Sequence, residues 1–131
     1  MKAAYTGWTW ISAKEPEAAK KQLEQSFQEC KFFGYDTVEN FAFIRDFFAD
    51  DPSELVRMTE RCGVELVNLY GHFSLNVEET LKTAVEQVDF LAAIGGKWYN
   101  CQHSGFAEAP FERPTSPEMI DKICEIVNRL G

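Results

Sequence analysis

The chain has 131 residues, 45% hydrophobic and 26% charged, the composition of a single globular domain large enough to bury its own core. Thirteen Lys and Arg against 21 Asp and Glu give a formal net charge of −8, which argues against non-specific binding to nucleic acid or an anionic membrane, since both need a basic face. No apolar run approaches the ~18–20 residues of a membrane span. The opening MKAAYTGWTW lacks the apolar stretch and cleavage site of a signal peptide.

From the N-terminus, a first strand is expected over residues 2–10. A first helix should open at Pro16 and Glu17, with Ala19, Leu23, Phe27 and Cys30 on one face. The second strand is expected over 37–43. Asp51-Pro52-Ser53-Glu54 then supplies a capping carboxylate, a proline at the first helical position and an acid at the third. The helix it opens turns Leu55, Met58, Thr59 and Cys62 inward. The third strand is expected over 64–70, followed by a cap at Asn76-Val77-Glu78-Glu79 and the cleanest stripe, Leu81, Ala84, Val85, Val88 and Leu91. The fourth is expected over 97–103. Thr115-Ser116-Pro117-Glu118 begins a last helix with Ile120, Ile123, Cys124, Val127 and Leu130 on one face. Gly34, Gly63 and Gly95–Gly96 follow the first three helices, where a left-handed C-cap favours glycine. They recur every ~30 residues, the size of one βα unit.

This alternation implies a parallel sheet with helices outside it. The length suits a doubly wound sheet or half of an eightfold βα barrel, since a full barrel takes about 250 residues. Doubly wound strands are apolar on both faces. These carry Glu39 and Asn40, Asn68 in step with Tyr70 and His72, and Asn100 in step with Gln102. Polar groups toward the C-terminal strand ends mark a barrel mouth. The expected fold is therefore α/β, a parallel (βα)4 half of a TIM barrel. Residues 1–131 read as a single N-terminal half-barrel domain of four βα units, part of a full (βα)8 barrel. Cys30, Cys62, Cys101 and Cys124 stand far apart with no CxxC pair, and are expected to be reduced thiols of a cytoplasmic protein.

The run EQSFQECKFFGYDTVENF resembles the helix, Gly-Tyr-Asp, strand and Val-Glu signature of sugar phosphate isomerases and epimerases, which have the xylose isomerase-like barrel. TGWTW, RCGVELVNLYGHF and AAIGGKWYNCQHSG extend the resemblance through the first, third and fourth strands. It covers the whole chain and the N-terminal half of such a protein. It implies metal-assisted proton transfer beside the carbonyl of a small sugar or sugar phosphate. A divalent metal (Zn, Mn, Mg or Co) would be held by acids on the fifth to eighth strands, so these 131 residues alone are expected to be inactive. The catalytic residues stay unassigned.

His72 and His103 are the only histidines, and the related endonuclease IV branch carries metal-binding histidines at the ends of the same two strands. They are the candidate metal ligands. A neutral imidazole ligates through one nitrogen while a partner orients the other; the competing reading is two loop histidines bonded to backbone carbonyls. Zinc takes three or four protein ligands, so two histidines are not a complete site. Trp8, Trp10, Glu39 and Gln102 are the candidate substrate-binding residues. The indoles could pack on a sugar's apolar face or fill the barrel. Glu39, expected on the same C-terminal rim as His72 and His103, could accept from a hydroxyl or a neighbouring histidine, or brace the first and third strands; Gln102 and Asn100 could bind substrate hydroxyls or satisfy one another. Residues 41–48, FAFIRDFF, are either a lid, an oligomer contact or packing beneath the second helix. Lys14, Lys20 and Lys21 read as a solvated face. Glycine-rich nucleotide loops and a GxSxG elbow are absent.

The leading function is a sugar or sugar-phosphate isomerase or epimerase. The alternatives are a non-catalytic half-barrel binding or assembly module and an endonuclease IV-like metal hydrolase, which the acidic charge disfavours. Neither nucleic acid nor membrane is expected as a partner. An open inner face including Trp8, Trp10, Phe41 and Trp98, with unpaired edges at the first and fourth strands, is expected to drive homo-oligomerisation.

Overall fold

The computed structural model describes residues 4–7, 11–74, 76–103 and 117–130. The strand and helix signals are realised there as β1 (Ala4–Thr6), α1 (Pro16–Phe32), β2 (Thr37–Phe41), a 3-10 turn (Ala42–Ile44) running into the short α2 (Arg45–Phe48), α3 (Pro52–Cys62), β3 (Glu65–Phe73), α4 (Val77–Ala93), β4 (Trp98–His103) and α5 (Pro117–Leu130). The four strands form one parallel sheet in the order β1-β2-β3-β4. Each strand lies beside its successor, an α/β arrangement compatible with half of a barrel. Among the described residues no helix is long and apolar enough to cross a membrane.

Helix boundaries follow their local chemistry. Asp51 accepts the Ser53 N–H at 3.1 Å ahead of Pro52, and Asn76 accepts the Glu79 N–H at 3.3 Å while its amide reaches the Glu79 carboxylate at 3.1 Å. Gly34, Gly63 and Gly95 close α1, α3 and α4 with φ of 88°, 69° and 76°, the left-handed conformation their positions required.

Alternation along the strands sorts the side chains. Val38, Leu66 and Leu69 face one way, where Leu23 and Phe27 of α1, Leu55 and Met58 of α3, and Phe90 and Leu91 of α4 join them in one core. A β-bulge preserves this sorting. Val38 pairs with Leu66 but Glu39 pairs with Asn68, so Val67 is an extra residue in β3.

The expected stripes hold on α1 and α3, where Ala19, Leu23, Phe27, Cys30, Leu55, Met58 and Cys62 are buried. They fail in part on the last two helices. Val85 and Val88 of α4 are exposed, as are Ile120 and Val127 of α5, whereas Ile126 is buried against Leu81, Val77 and Leu130. α5 is seated on the flank of α4, and helical period reveals an apolar face without revealing which flank of it gains a neighbour. Residues 41–48 divide: Ala42, Ile44 and Phe48 enter the core while Phe43 is exposed. Lys20 departs from the solvated-face reading. It bonds Glu54 at 2.6 Å and lies 5.1 Å from the Phe48 ring centroid. All four cysteines are free.

Gly71 of β3 lies under the Tyr99 side chain of β4. A Cβ there would collide with the Tyr99 hydroxyl and stand 2.9 Å from Gln87 Oε1. Gly71→Ala is expected to cost about 1–3 kcal/mol by overpacking, read as a lower urea midpoint at unchanged slope. Combined with Tyr99→Leu, the added cost of the alanine should shrink, because its clash is with the phenol.

Candidate functional site

The face opposite the helix-packed core is built in transverse rows, because residues in register on neighbouring strands share a face. Ala4, Thr37 and Glu65 form the row at the N-terminal ends of β1 to β3. Thr6, Glu39, Asn68 and Trp98 form the second, which crosses all four strands. Phe41, Tyr70 and Asn100 form the third, and His72 with the position of Gln102 the fourth, at the C-terminal edge.

Glu39 ties the second row together. Its carboxylate accepts hydrogen bonds from Thr6 Oγ1 of β1, from Asn68 Nδ2 at 3.2 Å and from the Tyr70 hydroxyl at 2.9 Å. A carboxylate drawn out of water needs such donors. These bonds also fix the Asn68 amide, since the flipped orientation would set its oxygen against the carboxylate. Asn68 Oδ1 is left without a partner although the residue is 3% exposed. Desolvation first, and the Glu39 carboxylate second, hold the Tyr70 phenol above its ordinary pKa, against smaller opposing contributions from Asn100 and Asn68.

Higher up, the Phe41 ring lies parallel to the His72 imidazole, with centroids 5.6 Å apart and an interplanar angle of 5°. The same ring is 5.6 Å from that of Tyr70. His72 is thus an exposed imidazole steadied by stacking.

Register places Glu39 deeper than a shared rim with the histidines. It is level with Asn68, four residues before His72, or roughly 13 Å along the strand at ~3.3 Å per residue. His72 and His103 do end neighbouring strands at the same edge, but His72 pairs with Gln102 and Phe73 with His103, one step apart. The side chains of Gln102 and His103, and all of Trp8 and Trp10, lie outside the described residues. Among the described residues no three of His, Cys, Asp and Glu converge to hold a metal, and Glu39 is committed to protein donors. Asn40 parts company with Glu39: it is fully buried on the other face, where its Oδ1 accepts the Phe41 N–H at 2.8 Å.

Thr6 and Tyr70 are members of the site that the sequence reading gave no role. The signal for them was period-two alternation: with Glu39 on this face, its register partners follow. No known protein family, curated protein or solved structure matches the chain.

Glu39→Gln leaves one oxygen to accept where the carboxylate offered two, so the Thr6 and Tyr70 hydroxyls must turn to accept from the amide, and is expected to lower stability by about 1 kcal/mol while bringing the Tyr70 phenol down in a 13C-tyrosine NMR titration. Alkaline pH gives a second measurement. Tyr70 is raised above the unfolded value of 10.0, and Tyr99 is pushed up to about 12, by burial and then by Cys101. The folded state therefore binds these protons more tightly than the unfolded chain. That stabilisation is complete below pH 10 and is lost as pH rises toward about 12, so the urea midpoint should fall across this window, and fall less in Tyr99→Phe.

Proposed function

We propose that the chain holds a small sugar or sugar phosphate on the uncovered face of its sheet, as the substrate-binding wall of an isomerase or epimerase with a xylose isomerase-like barrel. The observation that carries this reading is the Glu39 row with Tyr70 and Asn100 above it. These carboxylate, phenol and amide groups suit a ligand whose hydroxyls both donate and accept. The parallel order β1-β2-β3-β4 supports it, being the order of such a barrel's first half. The resemblance of EQSFQECKFFGYDTVENF supplies the reaction class, proton transfer between carbons beside a carbonyl.

In this reading the residues present bind and orient. Glu39, accepting from three protein donors, acts as the brace that sets Tyr70 and Asn68. Tyr70 stays a neutral phenol, and His72 offers an imidazole at the edge. The acids that hold a divalent metal and move the proton belong to strands other than these four. The full engagement of Glu39 also favours a second reading, a half-barrel that binds a polyol without turning it over.

Titration with aldoses, ketoses and their phosphates, followed by 1H–15N NMR, tests the proposal. The Tyr70, His72 and Asn100 amides should shift, and Glu39→Gln should weaken binding about tenfold, or ~1.4 kcal/mol. Deuterium uptake from 2H2O at the carbon beside the carbonyl is expected to be absent with these four strands alone, so binding is the deciding measurement. A chain that responds to no sugar in the panel defeats both readings.

A further inference from the structure

Resting on the second reading above, a half-barrel that binds a polyol without turning it over, we infer that two copies of the chain close one barrel, β4 of each beside β1 of the other, so that both copies line the sugar mouth. The sheet ends without protection. Among the described residues β1 and β4 have a neighbouring strand on one side only. β4, WYNCQH, contains no acid, lysine, arginine or proline, and neither does β1, AYT. Edge strands that stay unpaired are normally guarded by such residues. Each chain carries a net charge of −8, and uncharged strands are where a second copy is least repelled.

Three hollows adjoin the bare edges and face. On the helix side of β1, Tyr5, Glu29, Cys30, Phe33 and Tyr35 line about 350 Å3, and Phe33 is 71% exposed. On the helix side of β4, about 400 Å3 lies between Val85 and Val88 of α4, Tyr99 and Cys101 of β4 and Val127 of α5; all three valines are exposed. In a βα barrel the next strand and its helix occupy such places. The third hollow, also about 400 Å3, lies on the uncovered face between Ala4, Thr37, Glu39, Glu65 and Trp98. A barrel interior is filled by the side chains of its strands, and an all-parallel sheet is seldom left with a bare face. One association fills all three. A two-fold axis along the strands keeps every strand parallel and sets β4 against β1 of the copy twice over, leaving no edge. Four strands from each copy give the eight at which side chains just fill the interior. Pairing β4 with β4 of the copy would leave β1 and the bare face open. In the closed barrel the rows holding Tyr70, Asn100 and His72 stand in both halves of one mouth, at the C-terminal strand ends.

Sedimentation velocity on the chain tests this, with two exposed positions as reporters. The wild type should sediment as a dimer at micromolar concentration. Phe33→Glu, beside β1, and Val88→Lys, beside β4, should each weaken dimerisation about tenfold. Mixing the two variants should restore it, because one β4–β1 contact of the mixed dimer is wild type and the other brings the lysine and the glutamate to the same junction. Each variant's 1H–15N spectrum is checked for a folded chain, and Phe32→Glu or Val85→Lys replaces a variant that does not fold. A monomeric wild type overturns the closed barrel. Loss of the dimer in only one variant overturns it too; loss in Val88→Lys alone is the mark of β4 paired with β4. Loss in neither variant, or in both without recovery on mixing, is equally fatal. Sugar titration of the wild type is read separately. Amide shifts at Tyr70, His72 and Asn100 in a monomer leave polyol binding standing without the barrel. A dimer that passes the mixing test but responds to no sugar keeps the barrel and defeats the sugar mouth.

Discussion

Glu39 is accommodated in β2 by hydrogen bonds from Thr6, Asn68 and Tyr70, and much of the uncovered face follows from that requirement. A carboxylate partly removed from water must find donors, and here they come from the strand on either side. Meeting it pins β1, β2 and β3 at one register, because a one-residue slip would carry the donors to the other face. It sets the orientation of the Asn68 amide. It also helps keep the Tyr70 phenol neutral. A single acid thus converts three adjacent strands into a polar surface with fixed donors and acceptors.

The opposite face obeys a different rule. There Val38, Leu66 and Leu69 meet α1, α3 and α4 in one core, and ion pairs bind the helices at their rims, Lys20 to Glu54 between α1 and α3 and Arg45 to Glu86 between α2 and α4. The helix layer seals the middle of the sheet better than its ends. Phe32 and Phe33 stay exposed at the end of α1, and Val85, Val88 and Val127 stay exposed beside β4. Asn40 and Ser26 are fully buried polar residues on this side, Asn40 Oδ1 accepting the Phe41 N–H and the Ser26 hydroxyl donating to the Leu23 carbonyl.

What could be read from the sequence was what local chemistry determines. Asp51 and Asn76 cap the helices they precede, and Gly34, Gly63 and Gly95 end the helices they follow, because these interactions span only a few residues. The apolar stripes of α1 and α3 were legible because their helices sit squarely on the sheet. Those of α4 and α5 were legible only in part, because the seat of α5 is a tertiary contact between Ile126 and Leu81. The candidate site shows the same division. Glu39 and the shared parity of Asn68, Tyr70 and His72 could be read from alternation. The depth of Glu39 relative to His72 depended on cross-strand register, and so did the row that joins Thr6 to Trp98.

The bulge in β3 gives that strand an unequal tolerance to changes in length. Leu66 and Leu69 both reach the core, three positions apart, because Val67 is absorbed outside the pairing with β2. Losing Val67 would leave Leu66, Asn68, Leu69 and Tyr70 in strict alternation, each on its present face. Losing Leu69 or Gly71 instead would shift the phase of every residue beyond it and exchange the two faces of the strand. Within β3, position 67 is where a deletion keeps the phase of core and polar face, losing instead the carbonyl that accepts the Lys97 N–H at 2.9 Å.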